Sequence, residues 1–235
     1  MLNSPWVALC ITFALALAWL RVNDYAAQRG WMSAALSRKI IHIGTGPIFV
    51  LCWLLFPDRP ESRFLAALIP LAITFQFFLV GVGAWKDEGA VAAMSRSGNR
   101  SEILRGPLFY GIVFVALTLI YWKTSPIGIV ALMLLCGGDG LADILGRRFQ
   151  SGPLPWSAGK TWIGTLAMLL GGWVFSVVIL GAFMLAGVFS GSIPHYLLAV
   201  TGISIVGALV ESIPFRDIDN LTVPAFAVLL GHLMF

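Results

Sequence analysis

Two aspartates four residues apart close an otherwise apolar stretch, CGGDGLADILGRR at 136–148. On a helix Asp139 and Asp143 share one face, and Arg147 continues the stripe one turn later. Gly138, Ala142 and Gly146 form an adjacent stripe of small residues, which lets a neighbouring helix or a ligand come close. Carboxylates at the end of an apolar span are costly unless they face protein, water or a metal. Paired oxygens at this spacing, beside a phosphate-bearing ligand, suit Mg²⁺. The competing reading leaves both acids in the headgroup region, salt-bridged to Arg147 and Lys160.

Directly after this stripe comes RRFQSGPLPWSAGKTWIGT at 147–165, whose Gly and Pro content predicts a loop. It returns Arg147, Arg148 and Lys160 towards the acids. Cations facing a metal–carboxylate centre suit a polyphosphate, whose charge they neutralise during transfer. These cations also have a plain topological use, holding the loop on one side of a membrane. The GKT at 159–161 is not a P-loop, because Leu154 stands where that motif needs glycine.

Two further clusters carry titratable groups. SRKIIHIGTG at 37–46 sets Lys39 and His42 one helical turn apart. A histidine at a span boundary serves as a structural hydrogen-bonder or as a base, and Lys39 serves equally as a membrane anchor. VESIPFRDIDNLTVP at 210–224 adds Glu211 at the end of an apolar run, then Asp217, Asp219 and Asn220. Glu211 lies nearer the apolar phase than Asp217, which reads equally as part of a solvated acidic loop.

Every one of these groups sits at the edge of a long apolar run, and the whole composition follows suit. Of 235 residues 59% are apolar and only 11% charged, with mean hydropathy +0.90. Soluble domains keep about a quarter of their residues charged. Apolar runs fall at about 5–22, 40–56, 64–84, 107–122, 126–146, 161–189, 194–213 and 221–235. Most approach the ~20 residues that cross a bilayer as a helix. The expected fold is an all-α polytopic transmembrane bundle of about eight spans in a single membrane domain over 1–235, seven being the alternative. The last run is short and holds Pro224 and His232. The first run follows no Lys or Arg and is followed by Arg21, which favours a retained span over a cleaved signal.

The cations then orient the bundle. Loops after spans one, three, five and seven carry twelve of the 15 Lys and Arg residues, and the other loops carry Arg59, Arg63 and Lys123. That bias places the odd loops in the cytoplasm and the N-terminus outside. Thin scatter between apolar runs excludes a nucleic-acid surface. Cys10, Cys52 and Cys136 sit inside apolar runs, so neither disulfides nor a zinc site are expected. Arg59, Glu61, Arg63 and Lys123 read as ordinary loop residues. Under this topology all four polar clusters share the cytoplasmic face, which argues for one site. From the residues alone the reading is metal-dependent phosphate chemistry at a membrane surface, with a lipid as second substrate.

In order along the chain, RKIIHIGTG at 38–46, EILRGPLFY at 102–110, SPIGIVALMLLCGGDGLADILGRRF at 125–149, KTWIG at 160–164, VESIP from 210 and the DN pair at 219–220 form a set. Over about Arg38 to Pro224 the chain resembles the phytol kinase and farnesol kinase family, which is related to dolichol kinases and more distantly to CDP-diacylglycerol synthases. The resemblance implies an isoprenoid-alcohol kinase using a nucleoside triphosphate, CTP by preference. It implies Asp139 and Asp143 as the Mg²⁺–nucleotide carboxylates, with Arg147, Arg148 and Lys160 on the phosphates. Lys39, His42, Glu211 and Asp219, with Asn220, complete the pocket. Asp139 stands first as acceptor of the alcohol's proton and His42 second. The chain departs from the family pattern at Gln150, where glycine is common, and in a less basic loop before Lys160; both bear on nucleotide preference.

Two other functions fit parts of the pattern. A cytidylyltransferase making a CDP-lipid shares the carboxylates but releases pyrophosphate, and the KTWIG block leans against it. An ion-coupled transporter fits intramembrane acids and Gly-rich spans. It fits poorly with charges gathered at one face and with no visible inverted repeat.

Overall fold

The computed structural model describes residues 2–95, 97–149, 151–214 and 218–235. Arg96, Gln150, Arg216 and Asp217 lie outside the described residues.

The apolar runs fold as helices, and one short helix forms outside them. They are α1 (Pro5–Gln28), α2 (Ala34–Cys52), α3 (Ser62–Val82), a short α4 (Glu88–Met94), α5 (Gly106–Ile120), α6 (Pro126–Met133), α7 (Asp139–Arg148), α8 (Trp162–Leu185), α9 (Ile193–Ser212) and α10 (Asp219–Met234). Local chemistry sets many of their starts. Ser33, Asp87, Ser125 and Thr161 each cap a first turn by accepting from a backbone N–H. Pro126 follows Ser125 at the first helical position, where its missing N–H costs nothing.

Among the described residues seven helical segments are long and apolar enough to cross a membrane, α6 and α7 counting as one through Pro126–Arg148. The α10 helix, at 16 residues, falls short of that length. It nevertheless runs from the site end to the opposite end, so the eighth expected run is a helix but a shorter one. Surfaces that a soluble protein would make polar carry Leu185, Leu198 and Leu233 instead, all strongly exposed. Bilayer is the solvent for which such a surface is built.

The α6 segment is the axis of the bundle. Ile129, Val130, Ala131, Leu132 and Met133 are wholly buried, as a helix apolar on every side must be. At its end the chain widens into a π-helical turn, Leu134–Gly138, before α7 begins at Asp139. The small-residue stripe turns out to serve helix packing. A Cβ on Gly138 would meet Met168 Sδ of α8 at 2.6 Å, and one on Gly146 would meet the Gly164 Cα at 3.2 Å.

Two segments expected to be loop are ordered more closely than their composition indicates. Residues 153–161 fold into an antiparallel hairpin of β1 (Pro153–Leu154) and β2 (Ser157–Thr161). GKT therefore lies in a strand that runs straight into α8. Lys123, read above as an ordinary loop residue, is buried: its ammonium donates to Phe56 O at 3.0 Å and to Asp58 Oδ1 at 2.5 Å. It staples the two loops at the end remote from the acids. Leu2 joins the same end through a 2.8 Å bond to Leu55 O.

Candidate active site

The α2 and α7 helices run past each other with their charges in register. Lys39 Nζ lies 3.0 Å from Asp143 Oδ2, and one turn along, His42 Nε2 lies 3.5 Å from Asp139 Oδ2. A spacing of three on α2 thus answers a spacing of four on α7. Arg147 Nε donates to the other Asp143 oxygen at 2.7 Å. The second cluster stands across the mouth. Lys160, on β2, pairs with Glu211 at the end of α9 and lies 3.7 Å from Asp219 Oδ2 at the start of α10.

The π-helical turn has a use here. His42 Nε2 is 3.2 Å from Leu135 O. A carbonyl can only accept, so Nε2 carries the proton whenever this bond forms. π-Turns recur at functional sites, and this one sets both the carbonyl that orients His42 and the helix start that presents Asp139. Tyr110 completes the support. Its hydroxyl donates to His42 O at 3.2 Å, sits 3.1 Å from Cys136 Sγ, and its ring lies 4.5 Å from the imidazole.

The hairpin is held so that Lys160 points inward. Trp156 Nε1 donates to Ser212 Oγ at 3.1 Å, tying the turn to the end of α9 next to Glu211. Burial alone would lower the Lys160 pKa. The bonded Glu211 carboxylate, with Asp219 and Asp139 beyond it, outweighs that and holds the ammonium above its ordinary value. The amide of Asn220 donates to Gly106 O at 2.9 Å, joining α10 to the start of α5.

The charged groups border one cavity of about 1340 Å³. Asp139, Asp143, His42, Lys39, Arg147, Lys160, Glu211, Asp219 and Asn220 line it together. Arg148 is exposed and does not line it. The lining adds groups that the sequence alone assigned to topology or left unremarked: Arg21, Asp24, Arg38 and Asp87 at the mouth, and the hydroxyls of Ser157 and Thr165. Those two hydroxyls are buried without a hydrogen-bond partner. The signal for Tyr110 was present in the EILRGPLFY block, but nothing in one sequence says that α5 faces α2. Beneath the charges the same cavity continues as an apolar arm between α1, α2, α3 and α5, past Ile73 and Ile69 to Phe49 and Phe114.

Charge balance bears on what the mouth can hold. Five Lys and Arg residues face six carboxylates among the described lining residues. A polyphosphate entering such a mouth needs positive charge brought with it. Among the described residues no group of three or more His, Cys, Asp and Glu could hold a metal alone. Asp139 and Asp143 offer two carboxylates, the share that proteins commonly give Mg²⁺ when phosphates supply the rest. The donor set fits a divalent cation arriving with a nucleotide.

Fold and site together define a polytopic helical membrane protein with a charged mouth at one end of the bundle opening into a buried apolar arm. Comparison with known proteins narrows this class. The chain is 37% identical over 230 residues to a probable chloroplastic phytol kinase of Triticum aestivum, spanning 97% of this chain and 77% of the relative. It is 38% identical over 227 residues to the chloroplastic farnesol kinase of Arabidopsis thaliana, spanning 96% and 74%. Phytol kinase 1 of the same plant is 33% identical over 225 residues, spanning 95% and 73%. No family model matches the chain, and no solved structure does. The chain belongs to the phytol kinase and farnesol kinase family.

Proposed function

We propose that this protein is an isoprenoid-alcohol kinase that transfers the γ-phosphate of a nucleoside triphosphate, CTP by preference, to an alcohol such as phytol, farnesol or geranylgeraniol. The observation that carries the reading is the single cavity, charged at the mouth and apolar below. Neither half alone calls for both a polyanion and a hydrocarbon. Its size points the same way, since pockets for one small molecule run to about 300–1,000 Å³ and this one exceeds that range. The relatives, a phytol kinase and a farnesol kinase by name, are of the same kind.

In this reading the alcohol's tail fills the arm and its hydroxyl stands at the level of His42 and Asp139. The triphosphate lies across the mouth, where Lys39, Arg147 and Lys160 turn from their carboxylate partners to its oxygens. Asp139 and Asp143 would hold Mg²⁺, which supplies neutralising charge to the phosphoryl oxygens. Phosphoryl transfer asks the protein chiefly for alignment and charge. Asp139 takes the proton of the attacking hydroxyl, with His42 behind it, held by Leu135 O and Tyr110. Positive-inside counting puts this mouth on the cytoplasmic side and the N-terminus outside.

The test uses purified protein in detergent with Mg²⁺, given phytol, farnesol or geranylgeraniol and labelled CTP, UTP or ATP, with products identified by mass. A lipid monophosphate plus a nucleoside diphosphate is the expected result. A CDP-lipid made from a lipid phosphate, with release of pyrophosphate, would replace the kinase by a cytidylyltransferase. No turnover by folded protein with any pair would sink both.

A further inference from the structure

The apolar arm ends at a similar depth on three of the helices that line it. Counted downward from the imidazole of His42, the lining on α2 runs to Phe49; on α3 it runs from Phe77 to Ile69, and on α5 from Gly106 to Phe114. Each interval is seven or eight residues, about 10–12 Å of helical rise. The hydrocarbon core of a bilayer is about 30 Å thick, so the arm stops well short of the opposite face.

What stops it is aromatic. Phe49 and Phe114 are almost fully buried, with ring centroids 5.9 Å apart. Directly beneath, Trp53 is wholly buried and lies 6.0 Å from Phe49 and 5.0 Å from Trp122. None of the residues in that lower layer borders the cavity. Two rings thus form a floor on a packed aromatic layer, and a packed interior does not yield to an extra isoprene unit.

Resting on the kinase reading above, we propose that Phe49 and Phe114 are specificity-determining residues that gauge tail length, setting the longest isoprenoid alcohol the arm accommodates. A tail that reaches the floor must stop there, and one more unit has to displace a buried ring. Removing the Phe49 ring deepens the arm. Enlarging Ile73, which lines it above the floor at a half-buried position, shortens the usable space without disturbing the aromatic layer.

The experiment measures kcat/KM for geraniol, farnesol, geranylgeraniol and a longer polyprenol with wild type, Phe49→Ala and Ile73→Phe in detergent. Phe49→Ala should raise the ratio of longer to shorter alcohols by about tenfold, and Ile73→Phe should lower it by a similar factor, the scale on which apolar pockets sense added groups. Each variant is first shown monodisperse by size exclusion. If Phe49→Ala does not fold, Ile73→Phe decides. Unmoved ratios in folded variants of an active enzyme would overturn the gauge and mean that tails leave sideways into lipid. A wild type that phosphorylates no alcohol overturns the kinase reading and the gauge with it, and the two failures are told apart by the wild type alone.

Discussion

Asp139 keeps one carboxylate oxygen against His42, so asparagine at this position preserves a polar contact while removing the charge. Turnover of Asp139→Asn should fall by about 10²–10³-fold, the scale of losing one preorganised electrostatic group, with folding intact. Wild-type kcat in this variant would remove Asp139 from the reaction. Lys160 behaves differently because its partner Glu211 is nearly fully buried. Lys160→Met strands that carboxylate beside Asp219 and should cost about 2–3 kcal/mol, somewhat less than breaking a fully buried pair, read as a lowered unfolding midpoint in detergent. The pH dependence follows from the raised Lys160 pKa. A lysine held above its ordinary value contributes stability at every pH below about 10 and loses it as the pH rises through the folded value. The gap between wild type and Lys160→Met should therefore be full at about pH 8–9, narrow in stronger alkali above the ordinary lysine value of about 10.4, and narrow again in acid as the stranded carboxylate of the variant takes up a proton. A gap absent in mild alkali would mean another group carries the pairing.

Elements decide where these residues meet, and here the sequence was partly legible. Apolar run length located the helices, and i, i+4 spacing put Asp139 and Asp143 on one face. The π-helical turn at Leu134–Gly138 left no mark, because one extra residue in a turn shifts a hydrophobic pattern too little to read inside a span that is buried all round. The hairpin escaped for a related reason: Gly, Pro and Ser dominate 151–159, and its order comes from Trp156 docking on Ser212, a contact 56 residues distant in the chain. Glycines at the α7–α8 seam test how far the site depends on this packing. A Cβ on Gly171 would stand 2.7 Å from Gly137 O, a backbone atom that cannot rotate away. Gly171→Ala should push α8 from the π-turn, cost about 1–3 kcal/mol as overpacking does, and lower activity although residue 171 does not border the cavity. Measured together, unfolding midpoint and kcat should both drop. Full activity at wild-type stability would show that the seam has slack.

At the scale of the whole molecule, charge counting was the most informative reading, because it needs no knowledge of how helices pack. Four clusters assigned to one side by loop cations alone do border one cavity. Counting could not show that Arg148 faces away while Arg21 and Arg38 line the mouth, since it sees which loop a cation belongs to and not its direction. Nor could it foresee a buried Lys123. The bundle now has two chemically distinct ends. Asp139, Lys160 and Asp219 mark one; Leu2, Lys123 and the Tyr121–His232 hydrogen bond of 2.9 Å mark the other. The short α10 completes the return to that second end, which puts the N- and C-terminal residues described here on the same side. Single cysteines test this in a background with Cys10, Cys52 and Cys136 replaced. Gly152→Cys, in the loop before the hairpin, and Ser190→Cys, in the exposed turn between α8 and α9, stand at opposite ends. A membrane-impermeant maleimide should modify Gly152→Cys only from the cytoplasmic face of sealed vesicles and Ser190→Cys only from the other. Labelling of both from one side would break the alternation of spans. The reverse pattern would keep the fold and invert the protein, which would move the proposed site, and the pool of nucleotide it draws on, to the far side of the membrane.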